Sequence, residues 1–297
     1  MTTYFLGIDG GGTRCRARLR DANGRLLGEG TGGPANIHQD YNGSIASIRA
    51  AAADAQVAAG LAELPPFSIR AGLGLAGLIS SGTSGQLETA GLPFAAITAI
   101  NDAHAACLGA HGGADGGIVI CGTGSAGFVI VAGSNHAIGG WGFELGDAGS
   151  GAVMGHQAVR RAVLSIDGLR PATPLLTAVL DDIGRDQSRL AAWARTAKSV
   201  DYGRFASRVW AAAANGDLAG SEIVREAANA ISDLARRLLQ LGAPRLSMLG
   251  GMAGPMLSAM PPDLVPFWCP PHADAADGAI MAARHAAGLP MLWQSHE

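Results

Sequence analysis

Charge is scarce in this sequence. Asp, Glu, Lys and Arg supply 15% of 297 residues, against about 25% in an ordinary soluble domain. Net charge is −3 and the pI is near 6.2, so a nucleic-acid partner, which asks for a clustered basic face, is not expected. Four cysteines, Cys15, Cys107, Cys121 and Cys269, stand far apart with no C-x-x-C pair. That spacing excludes a disulfide framework and a zinc ribbon, and points to a reducing compartment, the cytoplasm. The stretch from Gly116 to Phe143 lacks Asp, Glu, Lys and Arg altogether and is long enough to cross a bilayer. Gly122-Thr123-Gly124-Ser125 and Ser134-Asn135-His136 interrupt it as turns, so it reads as two short strands, 118–121 and 128–132. The apolar run ahead of Asp9 is too short for a secretory signal, and no membrane partner is expected.

What the chain has in excess is glycine, 44 residues, roughly twice ordinary usage. No Gly-X-Y period exists, so the glycines serve tight turns and close backbone approach. At 48% hydrophobic the chain has apolar surface enough to offset chain entropy. Its length predicts two domains, divided here as 1–115 and 116–297, with the extreme C-terminus a candidate to pack on the first.

A short apolar strand at 4–8 opens the chain. From residue 14, Cys15, Ala17 and Leu19 fall on one face and Arg14, Arg16, Arg18 and Arg20 on the other, the period of two of a strand with one buried face. Asp21-Ala22-Asn23-Gly24 then turns the chain into a third strand at 25–29. A helix at 43–61, strands at 69–75 and 95–100 and a helix at 103–110 follow. The opening design of strand, glycine turn and strand restarts at 117–132. The remainder is helical at 152–164, 174–183, 188–199, 202–215 and 221–241, before a last strand at 245–249 and a closing helix at 273–287. Two copies of one design predict a duplicated α/β architecture, whose ligands bind in a crevice outside the strand ends.

Three glycine turns carry the chemistry. Asp9-Gly10-Gly11-Gly12-Thr13 can aim N–H groups at an anion and make a nest for phosphate oxygens. Asp9 would hold Mg²⁺ through the ion's waters, since magnesium prefers oxygen ligands and keeps much of its hydration. Gly122-Thr123-Gly124-Ser125 repeats the arrangement with two hydroxyls. The third, Gly250-Gly251-Met252-Ala253-Gly254, stands between a strand and a helix, where glycine lets a flat ring or a phosphate approach the backbone. Taken alone, each is also an ordinary hairpin or helix cap. No G-x-x-x-x-G-K-[ST] occurs, so none is a P-loop. Asp102 follows a strand and opens a helix, where a carboxylate also serves as a plain N-cap. Asp147, ahead of Ala148-Gly149-Ser150-Gly151, has the same alternative. Trp141 is read as packing under the 139–151 loop, His156 as a satisfied structural histidine, and the arginine face as solvated or covered by a helix.

Five runs stand in order along the chain: GIDGGGT at 7–13, GGPANI at 32–37, NDAHAA at 101–106, ICGTGS at 120–125 and GGWGFELGDAGSG at 139–151. On these the chain resembles the actin–hexokinase–chaperone ATPase superfamily, and within it the N-acetylglucosamine kinase group of BadF/BadG/BcrA/BcrD-type ATPases. The resemblance implies duplicated ribonuclease H-like α/β domains, the actin-like ATPase fold, with an interdomain cleft. It makes Asp9, Gly10, Gly11, Gly12 and Thr13, with Gly122, Thr123 and Gly124, the phosphate loops for ATP. Gly250, Gly251 and Ala253 become the adenosine loop. It assigns Asn36, Ser125, Gly139, Gly140 and Asp147 to the sugar, and makes Asp102 the catalytic base that takes the proton of the attacking 6-hydroxyl. ATP and Mg²⁺ as cofactors, N-acetylglucosamine as substrate and a homodimer are implied with it. Asp277-Gly278-Ala279 resembles the superfamily's second connecting segment at the interdomain hinge, or is an ordinary buried turn. Family members commonly carry an acid where Ala148 stands, a departure that bears on specificity.

Three alternatives follow from the same resemblance. The substrate is glucosamine or another hexose; or the chain belongs with the dehydratase-activating ATPases, whose iron–sulfur cluster asks for paired, exposed thiolates; or it is a sugar-sensing regulator without catalysis. Cys107 and Cys121 are the nearest pair for the second. The third is less expected, because the sequence begins at its first strand and shows no zinc-binding cysteine cluster.

Overall fold

The structure, a computed structural model, describes residues 3–65, 68–78, 85–87 and 90–292. They divide into two compact units. The first holds the described residues up to Gly116, Val129–Asn135 and those from Pro270 on; the second holds Gly117–Phe128 and His136–Cys269.

In the first unit, β1 (Tyr4–Gly10), β2 (Cys15–Asp21) and β3 (Leu26–Gly32) form an antiparallel meander. Parallel strands β4 (Ile69–Leu75) and β5 (Ala96–Asn101) extend it to the order β3-β2-β1-β4-β5. Leu6, Ile8, Cys15, Ala17, Leu19, Leu73 and Leu75 bury one face of this sheet against Ile45, Ile48, Ala51 and Ala55 of α1 (Tyr41–Ala58). Asp40 starts that helix, its carboxylate accepting from the Gly43 N–H at 2.8 Å. Ile48 is fully buried, so its truncation to Ala is worth about 3 kcal/mol.

Glycine sets how closely α1 approaches. A Cβ added at Gly28, Gly30 or Gly32 would overlap the backbone carbonyl oxygen of Ala55, Ala51 or Ser47 respectively. Two residues of strand rise about 6.6 Å and four residues of helix about 6 Å. Every second residue of β3 therefore meets every fourth residue of α1, and each contact requires hydrogen in place of a side chain. The opposite face repeats the device under α10 (Ala275–Ala286). Gly7 and Gly72 face each other across the β1–β4 ladder, and a Cβ on either would overlap a carbonyl oxygen of α10, at Ala276 and Ala279. Gly278 in turn lies on the Ala105 carbonyl of α2 (Asp102–His111). The Asp277-Gly278-Ala279 segment thus lies within α10 rather than in a turn, and its glycine does admit close helix packing.

The arginine face of β2 is covered, not solvated. Arg18 bonds Asp274 and Asp277 at 2.7 and 2.9 Å, and Arg20 bonds Asp277 at 2.8 Å. Both acids belong to the cap and first turn of α10.

The second sheet has the order β8-β7-β6-β9, built from β6 (Gly116–Cys121), β7 (Ser125–Val131), β8 (Ser134–Gly139) and β9 (Leu246–Leu249). β9 runs parallel to β6. Third, second, first and fourth strand is also how the first sheet begins, so the duplication expected from the sequence is visible in strand order. Helices α3 (Gly151–Ile166), α4 (Pro174–Ile183), α5 (Gln187–Thr196), α6 (Ser199–Gly203), α7 (Ala206–Ala214), α8 (Leu218–Gln240) and α9 (Ala253–Ser258) complete this unit.

Two expectations fail here. Ser134-Asn135-His136 is the start of a strand; the turn is Ala132-Gly133, both left-handed at φ 49° and 76°, the geometry that closes a two-residue hairpin. The single helix expected at 202–215 is divided into α6 and α7 around Arg204-Phe205. Among the described residues no helix is long and apolar enough to cross a membrane.

Candidate active site

The first glycine turn closes the β1–β2 hairpin. The Gly11 N–H donates to the Arg14 carbonyl at 3.0 Å, the Ala35 N–H to Gly11 at 2.8 Å and the Ala76 N–H to Gly10 at 2.8 Å. These bonds gather the ends of β1, β3 and β4 at one edge, and Asn36 sits among them in a parallel bridge with Ala76. The Asn36 side-chain oxygen accepts from the His38 and Gln39 N–H groups, both at 3.2 Å. Its amide nitrogen has no partner among the described residues and remains as a donor.

Asp102 lies in the same unit at the end of β5. The capping role belongs to its neighbour: the Asn101 side chain accepts from the His104 N–H at 2.6 Å. Asp102 is left as the first helical residue, bonded through Oδ1 to the Ala103 N–H at 2.9 Å, with Oδ2 unbonded among the described residues. Burial raises its pKa above the ordinary carboxylate value, and the nearby Asp9 charge adds to the rise. A half-buried carboxylate with one unbonded oxygen is suited to accept a proton.

Asp9 stands at the end of β1. Its Oδ2 accepts from Arg16 Nη2 at 2.6 Å and Nε at 3.2 Å, and no described residue bonds Oδ1. No group of three or more His, Cys, Asp or Glu among the described residues is arranged to hold a metal. One open carboxylate oxygen fits magnesium, which keeps most of its waters and takes phosphate oxygens besides.

The second unit assembles the remaining candidates. Its glycine turn closes the β6–β7 hairpin, with the Gly122 N–H on the Gly124 carbonyl at 2.9 Å. The Gly122 and Thr123 carbonyls accept from the Gly151 and Ala152 N–H groups at 2.8 and 3.2 Å, and the Cys121 carbonyl accepts from Met252 at 3.0 Å. These bonds bring Gly250, Gly251 and Ala253 to the same hairpin. Asp147 lies beside it, left-handed at φ 57°, and its carboxylate accepts from the Ser125 N–H. A Cβ at Gly124 would stand 2.7 Å from Asp147 Oδ2. Ser125 Oγ bonds the Ala148 carbonyl at 2.9 Å, and the Gly140 N–H reaches Ser125 O at 3.2 Å. As with Asp102, capping falls to a neighbour: Ser150 Oγ accepts from the Val153 N–H at 3.3 Å. Burial raises the Asp147 pKa, and Glu144 adds to that rise.

Trp141 does not pack under the loop. It is 75% exposed, and Leu145 beyond it is 84% exposed; Phe143 fills the inner position instead, with ring centroids 5.6 Å from His156 and 5.3 Å from Tyr202. Sequence reading missed this exchange because Trp141 and Phe143 alternate along one short loop. Burial lowers the His156 pKa, which keeps the imidazole neutral within that aromatic group.

Most glycines discussed so far are required by neighbouring protein. Gly12, Gly122, Gly251 and Gly254 are not: a Cβ on any of them would meet nothing within 4 Å, and their backbones are not left-handed. Gly85, an exposed helical residue, is the one further case among the described residues. The other four all lie in the three loops singled out from the sequence, and no intramolecular contact explains why they lack side chains.

The thiols argue against the iron–sulfur alternative. Cys107 and Cys121 are both buried, and burial pushes their pKa values up to about 12 and about 11. Neither is an exposed thiolate of the kind that ligates a cluster.

The sequence signature of the BadF/BadG/BcrA/BcrD ATPase family matches residues 6–262. The glucosamine kinase of Vibrio cholerae is 37% identical over 280 residues, 94% of this chain and 95% of that one. The N-acetyl-D-glucosamine kinase of Dictyostelium discoideum is 28% identical over 80% of this chain and 79% of its own. Among solved structures, a Chromobacterium violaceum protein provisionally assigned as an N-acetylglucosamine kinase superposes with a TM-score of 0.85 at 33% identity, covering 95% of this chain and 99% of its own. A glucokinase of the ROK family from Streptomyces griseus, solved with glucose and AMPPNP, shares the fold at a TM-score of 0.53 and 18% identity, covering 96% of this chain and 99% of its own. Both sheets of this chain thus belong to the duplicated, actin-like α/β architecture.

Proposed function

Since the chain belongs to the BadF/BadG/BcrA/BcrD ATPase family, we propose that it transfers the γ-phosphoryl group of ATP to the 6-hydroxyl of N-acetylglucosamine. At the coarser level it is an ATP-dependent amino-sugar kinase, as its relatives are. Glucosamine is the second reading of the substrate, favoured by the 37% identity with the Vibrio cholerae glucosamine kinase.

The observation that carries the proposal is Asp102. Its neighbour Asn101 does the capping, so the half-buried carboxylate keeps an oxygen for a substrate. In the transfer, the sugar 6-oxygen bonds to the γ-phosphorus, the bond to the β–γ bridging oxygen breaks, and ADP leaves. Asp102 Oδ2 takes the hydroxyl proton. Phosphoryl transfer asks mainly for positioning and charge neutralisation, with a base adding about 10²–10⁴-fold. N–H groups of Gly12 and Thr13 in the first loop and of Thr123 and Gly124 in the second are proposed to hold the phosphates, and the unsubstituted Cα atoms of Gly251 and Gly254 to admit the adenosine. The Asn36 amide, the Asp147 carboxylate and the backbone at Gly139 and Gly140 would take the sugar. Mg²⁺, with Asp9 on its water shell, would offset phosphate charge. The homodimer and the cytoplasmic location belong to the same proposal, and the family resemblance supports them.

Coupled ADP release with MgATP and N-acetylglucosamine, glucosamine, glucose, N-acetylmannosamine or no sugar tests this reading. One amino sugar is expected to stimulate release, and its 6-deoxy analogue to give none. Release that ignores every sugar, or persists with the 6-deoxy analogue, would overturn it.

A further inference from the structure

The proposed reaction leaves one strong contact unused, the ion pair between Arg16 and Asp9. The two residues face each other across the β1–β2 ladder, and the guanidinium gives two of its N–H groups to a single carboxylate oxygen, Oδ2. Its third nitrogen, Nη1, stands 3.6 Å from Asp274. Asp274 also receives Arg18, and Asp277 receives both Arg18 and Arg20. Alternating charges therefore run from Asp9 through Arg16, Asp274, Arg18 and Asp277 to Arg20. The period of two along β2 puts the three arginines on one face, and the first turn of α10 supplies the acids between them.

We propose that Arg16 is a positioning residue for the phosphate loop, and that its charge withholds Asp9 from free divalent cations, so that metal enters with the nucleotide. The inference rests on the nucleotide role given above to Asp9. Asp9 and Asp102 are close enough for the charge of one to act on the other. Unpartnered, two such carboxylates would attract a bare divalent ion. With Arg16 in place the set carries one net negative charge instead of two, and Oδ2 is already occupied. What remains is a single oxygen, Oδ1, oriented by the two bonds on its twin. A cation bringing phosphate oxygens of its own needs no more than that. The brace from Asp274 keeps Arg16 from turning away, which ties the loop to the same helix that Gly7 and Gly72 admit to the sheet.

The test uses the full chain, with Mn²⁺ alone as one probe and MgADP as the other. Mn²⁺ affinity is read from the free-ion electron paramagnetic resonance signal, and MgADP affinity by calorimetry. Removing the charge in Arg16→Met is expected to tighten binding of Mn²⁺ alone by about three- to tenfold and to weaken MgADP by a similar factor. Arg16→Lys, which keeps the charge but not the two-point contact, should hold Mn²⁺ affinity near wild type while MgADP falls by less. Asp9→Asn placed on Arg16→Met should erase the gain in Mn²⁺ affinity. If Arg16→Met does not fold, Arg16→Gln is read against the same expectation. A structural role alone would lower both affinities together. Mn²⁺ affinity that stays level or falls in the charge-removed variant overturns the inference. Wild-type protein that ignores MgADP would instead sink the nucleotide reading, while the Mn²⁺ measurement still decides whether Arg16 shields Asp9.

Discussion

The seam between β3 and α1 and the three loops at the strand ends are rich in the same residue for opposite reasons. At Gly28, Gly30 and Gly32 the helix backbone occupies the space where a side chain would be; at Gly12, Gly122 and Gly251 that space is empty. The same contrast divides the polar residues. Asn101 and Ser150 spend their oxygens on helix caps, while Asp102, next to Asn101, keeps one unbonded among the described residues. The difference teaches that a residue type alone does not announce a site. What marks one is a residue whose choice no intramolecular contact explains.

The largest effect should come from the seam. Gly30→Ala or Gly72→Ala drives a Cβ into a helix carbonyl that cannot move aside, and should cost about 3 kcal/mol or more, read as a lowered denaturation midpoint or as insoluble protein. Stability within 1 kcal/mol of wild type, a margin typical of neutral surface changes, would break the comparison at its packing end. Next come the loops. Gly122→Ala and Gly12→Ala should leave the melting temperature level, since nothing inside the protein is displaced, and should raise the KM for ATP by about tenfold or more. Loop variants that melt early but bind nucleotide normally would put them with the seam.

The pH profile sharpens the contrast between Asp102 and its capping neighbour. Burial and Asp9 raise the Asp102 pKa, and a base acts only when ionised. The acid limb of kcat/KM should therefore lie above the ordinary aspartate value of about 3.9, with activity gained as pH rises through it. The effect on stability has the opposite sign. A carboxylate whose folded pKa is raised favours folding below its unfolded pKa and loses that contribution as pH rises through the folded value. At pH 7 the ionised group is a burden, so Asp102→Asn should raise the melting temperature by about 1–3 °C. A lowered melting temperature would show instead that the carboxylate serves the fold.

Much of this was legible beforehand. The alternation from Cys15 to Arg20 marked β2, and the glycine turns fell on both hairpins. Asp102 and Asp147 stood out through resemblance, yet their release from capping depended on a shift of one to three residues that propensity cannot resolve. β3 was expected to end at residue 29, because Gly30 and Gly32 look like turn formers; they continue the strand by packing against α1. β8 was missed because it opens on the polar Ser134-Asn135-His136 and is mostly exposed, so no apolar alternation betrayed it. The α10 acids that cover Arg16, Arg18 and Arg20 lie more than 250 positions away along the chain, beyond the reach of local pattern.

The most direct measurement separates binding from turnover in Asp102→Asn. With MgADP and amino-sugar affinities measured by calorimetry beside the coupled assay, the account predicts affinities within about threefold of wild type and turnover reduced by about 10²–10⁴-fold. Turnover within a factor of about ten of wild type, with both ligands bound, would contradict it and remove Asp102 from the chemistry.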